Sequence, residues 1–77
     1  MTKYTVNLPD GTSRTRTSKR AYTHAIAAMS PSDGSWGVWG YAGSEELAKK
    51  ARDSNEARCI REGEVGWKFT IIPVEIN

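Results

Sequence analysis

The sequence predicts an α+β fold: a mostly antiparallel sheet of four or five strands with one helix, over about residues 44–57, packed on one face. Three observations lead there. KYTVNL (residues 3–8) and VGWKFTIIPVEI (residues 65–76) carry the two-residue apolar alternation of strands. SEELAKKA (residues 44–51) carries the start signals of a helix. Turn clusters at residues 9–12 and 30–34 cut the remainder into strand-length pieces. The apolar residues of a 77-residue chain suffice for one modest core, so residues 1–77 form a single small domain.

In KYTVNL, Tyr4, Val6 and Leu8 share one face, and Thr5 and Asn7 share the other. Pro9-Asp10-Gly11-Thr12 is a turn, with proline presetting φ and glycine free to take a positive one. TSRTRTS (residues 12–18) follows, polar on both faces. It reads as an edge strand whose arginines discourage edge-to-edge aggregation. AYTHAIAAM (residues 21–29) reads two ways. Local propensity favours a helix capped by Ser18, while a strand would align Tyr22, His24 and Ile26 on one face.

Residues 34–43, GSWGVWGYAG, place glycine at every third position among three large aromatics. As a strand over 35–42, a two-residue period sends Trp36, Val38 and Gly40 one way and Gly37, Trp39 and Tyr41 the other. The glycines then leave gaps in which an aromatic from a neighbouring strand, Trp67 or Tyr4, can lie over bare backbone. Ser44 caps the helix, with Glu45 and Glu46 in its first turn and Lys49 and Lys50 four residues beyond them. The helix is expected to end between Asn55 and Cys59, with a turn at Glu62-Gly63-Glu64. In the last strand Val65, Trp67, Phe69 and Ile71 share a face, and pairing should weaken at Pro73, which lacks an N–H.

The single thin helix can cover one sheet face, expected to be that of Tyr4, Val6 and Leu8 with Trp67 and Phe69. The opposite face would then expose an aromatic set from residues 36–41, with Trp39 and Tyr41 as the contact surface. A second copy of the chain, or long side chains from the arginine-rich strand, are the alternative covers. The net charge of +2 is uneven. Residues 1–24 hold Lys3, Arg14, Arg16, Lys19 and Arg20 against Asp10 alone, a net +4. Arg14 and Arg16 fall on one face of a strand and could straddle anionic groups, with Tyr22 or the Trp39/Tyr41 face as a stacking platform.

The chemistry of catalysis is thinly represented. His24 and Cys59 are the only residues of their types, so a metal site within one chain is not expected, and no cofactor is implied. Glu45 with Glu46 reads as helix N-terminal charge, and Glu62 with Glu64 as a solvated turn. Cys59, within EARCIRE, has no activating neighbour pattern and reads as a structural thiol. The chain is therefore expected not to be an enzyme. A lone cysteine suggests a reducing cytoplasm, and no segment approaches the ~20 apolar residues of a membrane span.

RTSKRAYTHA (residues 16–25), followed by a Gly-Trp-rich segment, SEELAKKA and a closing apolar strand, resembles small proteins of bacteriophages that infect actinobacteria. The shared pattern falls on Arg16, Ser18, Arg20, Tyr22, Thr23, His24 and Ala25. Those proteins follow it with β-branched residues, so the resemblance implies a strand over 21–29, although Ile26-Ala27-Ala28-Met29 departs from that composition. It also implies an accessory protein of the infected bacterial cytoplasm and carries no catalytic role. The expected function is non-enzymatic interaction with a host macromolecule. A host protein is favoured, bound through Trp39, Tyr41, Tyr22 and the basic pole of Arg14, Arg16, Lys19 and Arg20. Nucleic-acid binding by the arginine strand is the alternative, and a homodimer is compatible with either.

Overall fold

A computed structural model of the chain describes residues 1–76. The described elements are β1 (Thr2–Asn7), β2 (Ser13–Ser18), β3 (His24–Met29), β4 (Trp36–Ala42), α1 (Glu45–Arg61), β5 (Lys68–Pro73) and β6 (Glu75–Ile76). The class is α+β with antiparallel pairing. The strands divide, however, into two three-stranded sheets, β2-β1-β6 and β4-β3-β5, where a single sheet of four or five was expected.

Each sheet contains one hairpin, β1–β2 or β3–β4, and both close on the same device. Asp10 Oδ1 accepts from the Thr12 backbone N–H at 2.9 Å and from its hydroxyl at 2.6 Å. Asp33 Oδ1 accepts from the Ser35 N–H at 3.0 Å and its hydroxyl at 2.8 Å. These side chains supply the turn's hydrogen bonds locally, and Gly11 and Gly34 take the positive φ between them. Hydrogen bonding to the ionised carboxylates holds both aspartates below the usual value.

The closing segment changes sheets. β5 pairs with β3 as far as His24 opposite Pro73, whose ring has no N–H to donate. The Val74 N–H donates to Thr23 O at 3.0 Å, and the chain then joins β1 as β6. The weakened pairing expected at Pro73 is thus a corner between sheets. β5 also starts at Lys68 rather than Val65, because Gly66 turns the backbone at φ +92°.

β3 is the middle strand of the second sheet, and both its faces are covered. Ala25 and Ala27 meet Val6 and Leu8 of the first sheet, while Ile26 meets Ala48 of α1. The order of layers is therefore first sheet, second sheet, helix. Tyr4, Val6 and Leu8 lie against the second sheet and not under the helix as expected. Phe69 and Ile71 do pack beneath α1. This placement makes a strand of residues 24–29 only, with Ala21–Thr23 outside it and Tyr22 turned to Tyr41 on the side away from Ile26: the alanines favour helix locally, yet small side chains suit a strand held between two layers.

Ser44 caps α1 by accepting from the Leu47 N–H at 3.2 Å, and Lys49 pairs with Glu45 at 3.4 Å. The helix runs to Arg61, past the expected end near 57. It stops in a Schellman arrangement, with Glu64 N–H donating to Cys59 O at 2.8 Å and Gly63 N–H to Ile60 O at 3.1 Å.

Candidate interaction surface

A β-bulge rewrites the aromatic segment. Ile26 stands opposite Gly40 and Ala27 opposite Val38, so Trp39 is an extra residue in β4. The inserted residue shifts the alternation by one. Trp36, Val38 and Tyr41 all pack toward the first sheet. Trp39 faces the helix side, 4.8 Å from the Trp67 ring and 5.2 Å from Phe69 between centroids, with the Arg58 guanidinium 5.7 Å above it. The expected shared surface of Trp39 and Tyr41 is therefore split between two faces. The glycines do not host an aromatic either: a Cβ at Gly37 would meet nothing within 4 Å, and one at Gly40 would meet Ile26 Cδ1 at 3.8 Å.

Tyr41 instead joins Tyr22 and Tyr4. Ring centroids are 5.2 Å apart for Tyr22–Tyr41 and 5.4 Å for Tyr4–Tyr22. The Tyr4 hydroxyl donates to Arg20 O at 2.8 Å and accepts from the Tyr22 N–H at 3.3 Å. One phenol thus ties the 19–23 crossover to β1. Burial holds the Tyr41 phenol above its ordinary pKa, against the opposing pull of Arg16.

The basic residues are set by the β1–β2 register. Arg16 stands opposite Tyr4 and Arg14 opposite Val6, so both arginines project on the side of the first sheet that faces the second. β2 is an edge strand, and beyond its pairing with β1 it has no neighbour in the sheet. Arg16 places its guanidinium 5.2 Å from the Tyr41 centroid and 5.7 Å from that of Tyr22. The arginine strand is thus the cover over Tyr41. Arg14, Arg16, Lys19 and Arg20 are all exposed, and among the described residues none forms an ion pair. Arg14 spends one donor on Ser13 O at 3.1 Å.

The remaining chemistry is quiet. His24 Nδ1 lies 2.8 Å from the Thr23 hydroxyl. The Cys59 thiol is 3% exposed, and burial together with the Glu64 carboxylate pushes its pKa up, which keeps it protonated and weakly nucleophilic. Among the described residues, no three His, Cys, Asp or Glu side chains gather into a metal-binding group, and no helix is long and apolar enough to cross a membrane.

The sequence pointed to Arg14, Arg16, Lys19, Arg20 and Tyr22; the register spreads them from the hairpin end of β2 to the crossover, and of these the structure brings only Arg16 and Tyr22 into contact. Nothing in the sequence hinted at Arg58 against Trp39, because that contact depends on the bulge. No protein-family model, curated protein or solved structure matches this chain.

Proposed function

We propose that this chain is a non-enzymatic interaction protein, a phage-type accessory factor, that binds a host protein of the bacterial cytoplasm through its basic pole. One observation carries the reading. Arg14 and Arg16 alternate along an open strand edge, exposed and in no ion pair among the described residues. An extended acidic segment of a partner could add to that edge as a further strand. Its backbone would take up the free N–H and C=O groups, and its alternate carboxylates would lie across from the arginines. A second copy of β2 would instead bring arginine against arginine, which disfavours self-association at this edge. Arg16, held over two tyrosine rings, gives up less side-chain freedom on binding than a free arginine does.

Nucleic acid is the second reading, favoured by the net +4 of residues 1–24. It ranks lower because Arg16 already lies over Tyr22 and Tyr41, which occupies the rings a base would stack on. A tagged pull-down from an actinobacterial lysate, with and without nuclease, separates the two. A dominant host protein that survives nuclease, and is lost in the Arg14→Glu/Arg16→Glu variant, supports the proposal. Capture that vanishes with nuclease supports nucleic acid, with an affinity that falls steeply with salt. Capture indifferent to the arginine reversal refutes both.

A further inference from the structure

We propose that the cleft between the C-terminal end of α1 and residues 64–69 receives one large apolar side chain of a basic partner segment. The cleft has a volume of about 210 Å³, and Cys59, Ile60, Val65, Trp67 and Phe69 supply its apolar lining. That is below the ~300 Å³ at which small-molecule sites begin. It exceeds the ~150 Å³ cavity that accepts a benzene ring. The space therefore suits a single phenylalanine, leucine or methionine side chain, the kind of pocket in which an interface anchors.

Exposure marks the same place. Ile60 is 75% and Val65 79% exposed, so two branched apolar residues at the cleft stand in water. The charge of the lining specifies the partner. Its only ionisable side chains apart from Cys59 are Glu56 and Glu64, and neither is in an ion pair among the described residues. Arg58 nearby is directed at the Trp39 ring. An apolar anchor flanked by lysine or arginine satisfies both the floor and the rim.

The cleft is also preformed. The Schellman bonds from Gly63 and Glu64 fix one wall. Gly66, at φ +92°, fixes the other against the β3–β4 turn, where a Cβ would stand 2.9 Å from Pro31 Cβ. Little ordering is left to be done on binding. The basic pole plays no part in this contact.

The test is a titration of the isotope-labelled full chain with acetyl-Lys-Lys-Phe-Lys-Lys-amide, followed by backbone amide shifts. A single anchor contact is expected to bind in the range of ~1 mM, with shifts centred on residues 56–69. Acetyl-Lys-Lys-Gly-Lys-Lys-amide and acetyl-Glu-Glu-Phe-Glu-Glu-amide should leave those amides in place. Glu56→Gln/Glu64→Gln should weaken the phenylalanine peptide about threefold or more at low salt. Ile60→Ser, at an exposed position that the fold does not use, should weaken it similarly, while Arg14→Glu/Arg16→Glu should not change it. The proposal is overturned by shifts absent from 56–69 at about ten times that concentration, by equal response to either control peptide, or by indifference to both cleft variants.

Discussion

Replacing Tyr4 by phenylalanine isolates the hydroxyl that joins the first sheet to the crossover. The ring is 3% exposed and stays in place, so apolar burial is unchanged. What disappears is the donation to Arg20 O at 2.8 Å and the acceptance from Tyr22 N–H at 3.3 Å. A net hydrogen bond contributes about 0.5–1.5 kcal/mol, and the longer one belongs at the low end. The expected loss is therefore about 1–2 kcal/mol. A domain of 77 residues has a total stability of about 4–11 kcal/mol, so the loss is a large share of it. Urea unfolding followed by tryptophan fluorescence should show a lower midpoint at unchanged slope. In a thermal scan the midpoint should fall by roughly 4–15 °C. Tyr22→Phe is the control, because that hydroxyl makes no hydrogen bond among the described residues, and it should shift stability by less than about 0.5 kcal/mol. A Tyr4→Phe loss below about 0.3 kcal/mol, or one equal to the control, would refute the role assigned to the hydroxyl.

Ser44→Ala removes the cap that accepts from Leu47 N–H and should destabilise the protein by about 1 kcal/mol, read as reduced helical circular dichroism on heating. Gly66→Ala should destabilise by about 1–3 kcal/mol in the same urea assay, because it places a Cβ at φ +92° and 2.9 Å from Pro31. Asp10 and Asp33 have folded pKa values below their ordinary 3.8. Their contribution is therefore complete above pH 3.8 and is lost as pH falls through the folded values. The urea midpoint should drop with acidification in that window, and Asp10→Ala/Asp33→Ala should flatten the drop. Cys59 should react with iodoacetamide at neutral pH far more slowly than free cysteine, and reach the free rate in urea.

Local chemistry was readable wherever a feature closes within a few residues. The turns at Pro9–Thr12 and Ser30–Gly34 rest on bonds two residues apart. The helix start at Ser44 rests on a bond three residues along. The basic pole was readable because it lies within seven residues of chain. The strand at His24–Met29 needed more than local chemistry. Its alanines carry a helical bias, and local propensity did not choose a strand there.

What the chain alone determined is the strand–turn–strand unit at the start of the chain, the one helix and its cap, the α+β class, and an arginine-bearing edge. Each follows from torsional preference, short-range hydrogen bonding or the alternation of a strand. What the tertiary structure decided is how these pieces share faces. The single extra residue at Trp39 cannot be seen in a two-residue period, because a bulge is defined only against its partner strand. It separates Trp39 from Tyr41 and gives each a different arginine. The corner at Pro73 likewise turns one apolar run into strands of two sheets, and so moves Tyr4, Val6 and Leu8 from beneath the helix to the seam between sheets. Pairing and layering are long-range choices, made by which burial of the whole chain leaves the fewest apolar faces in water.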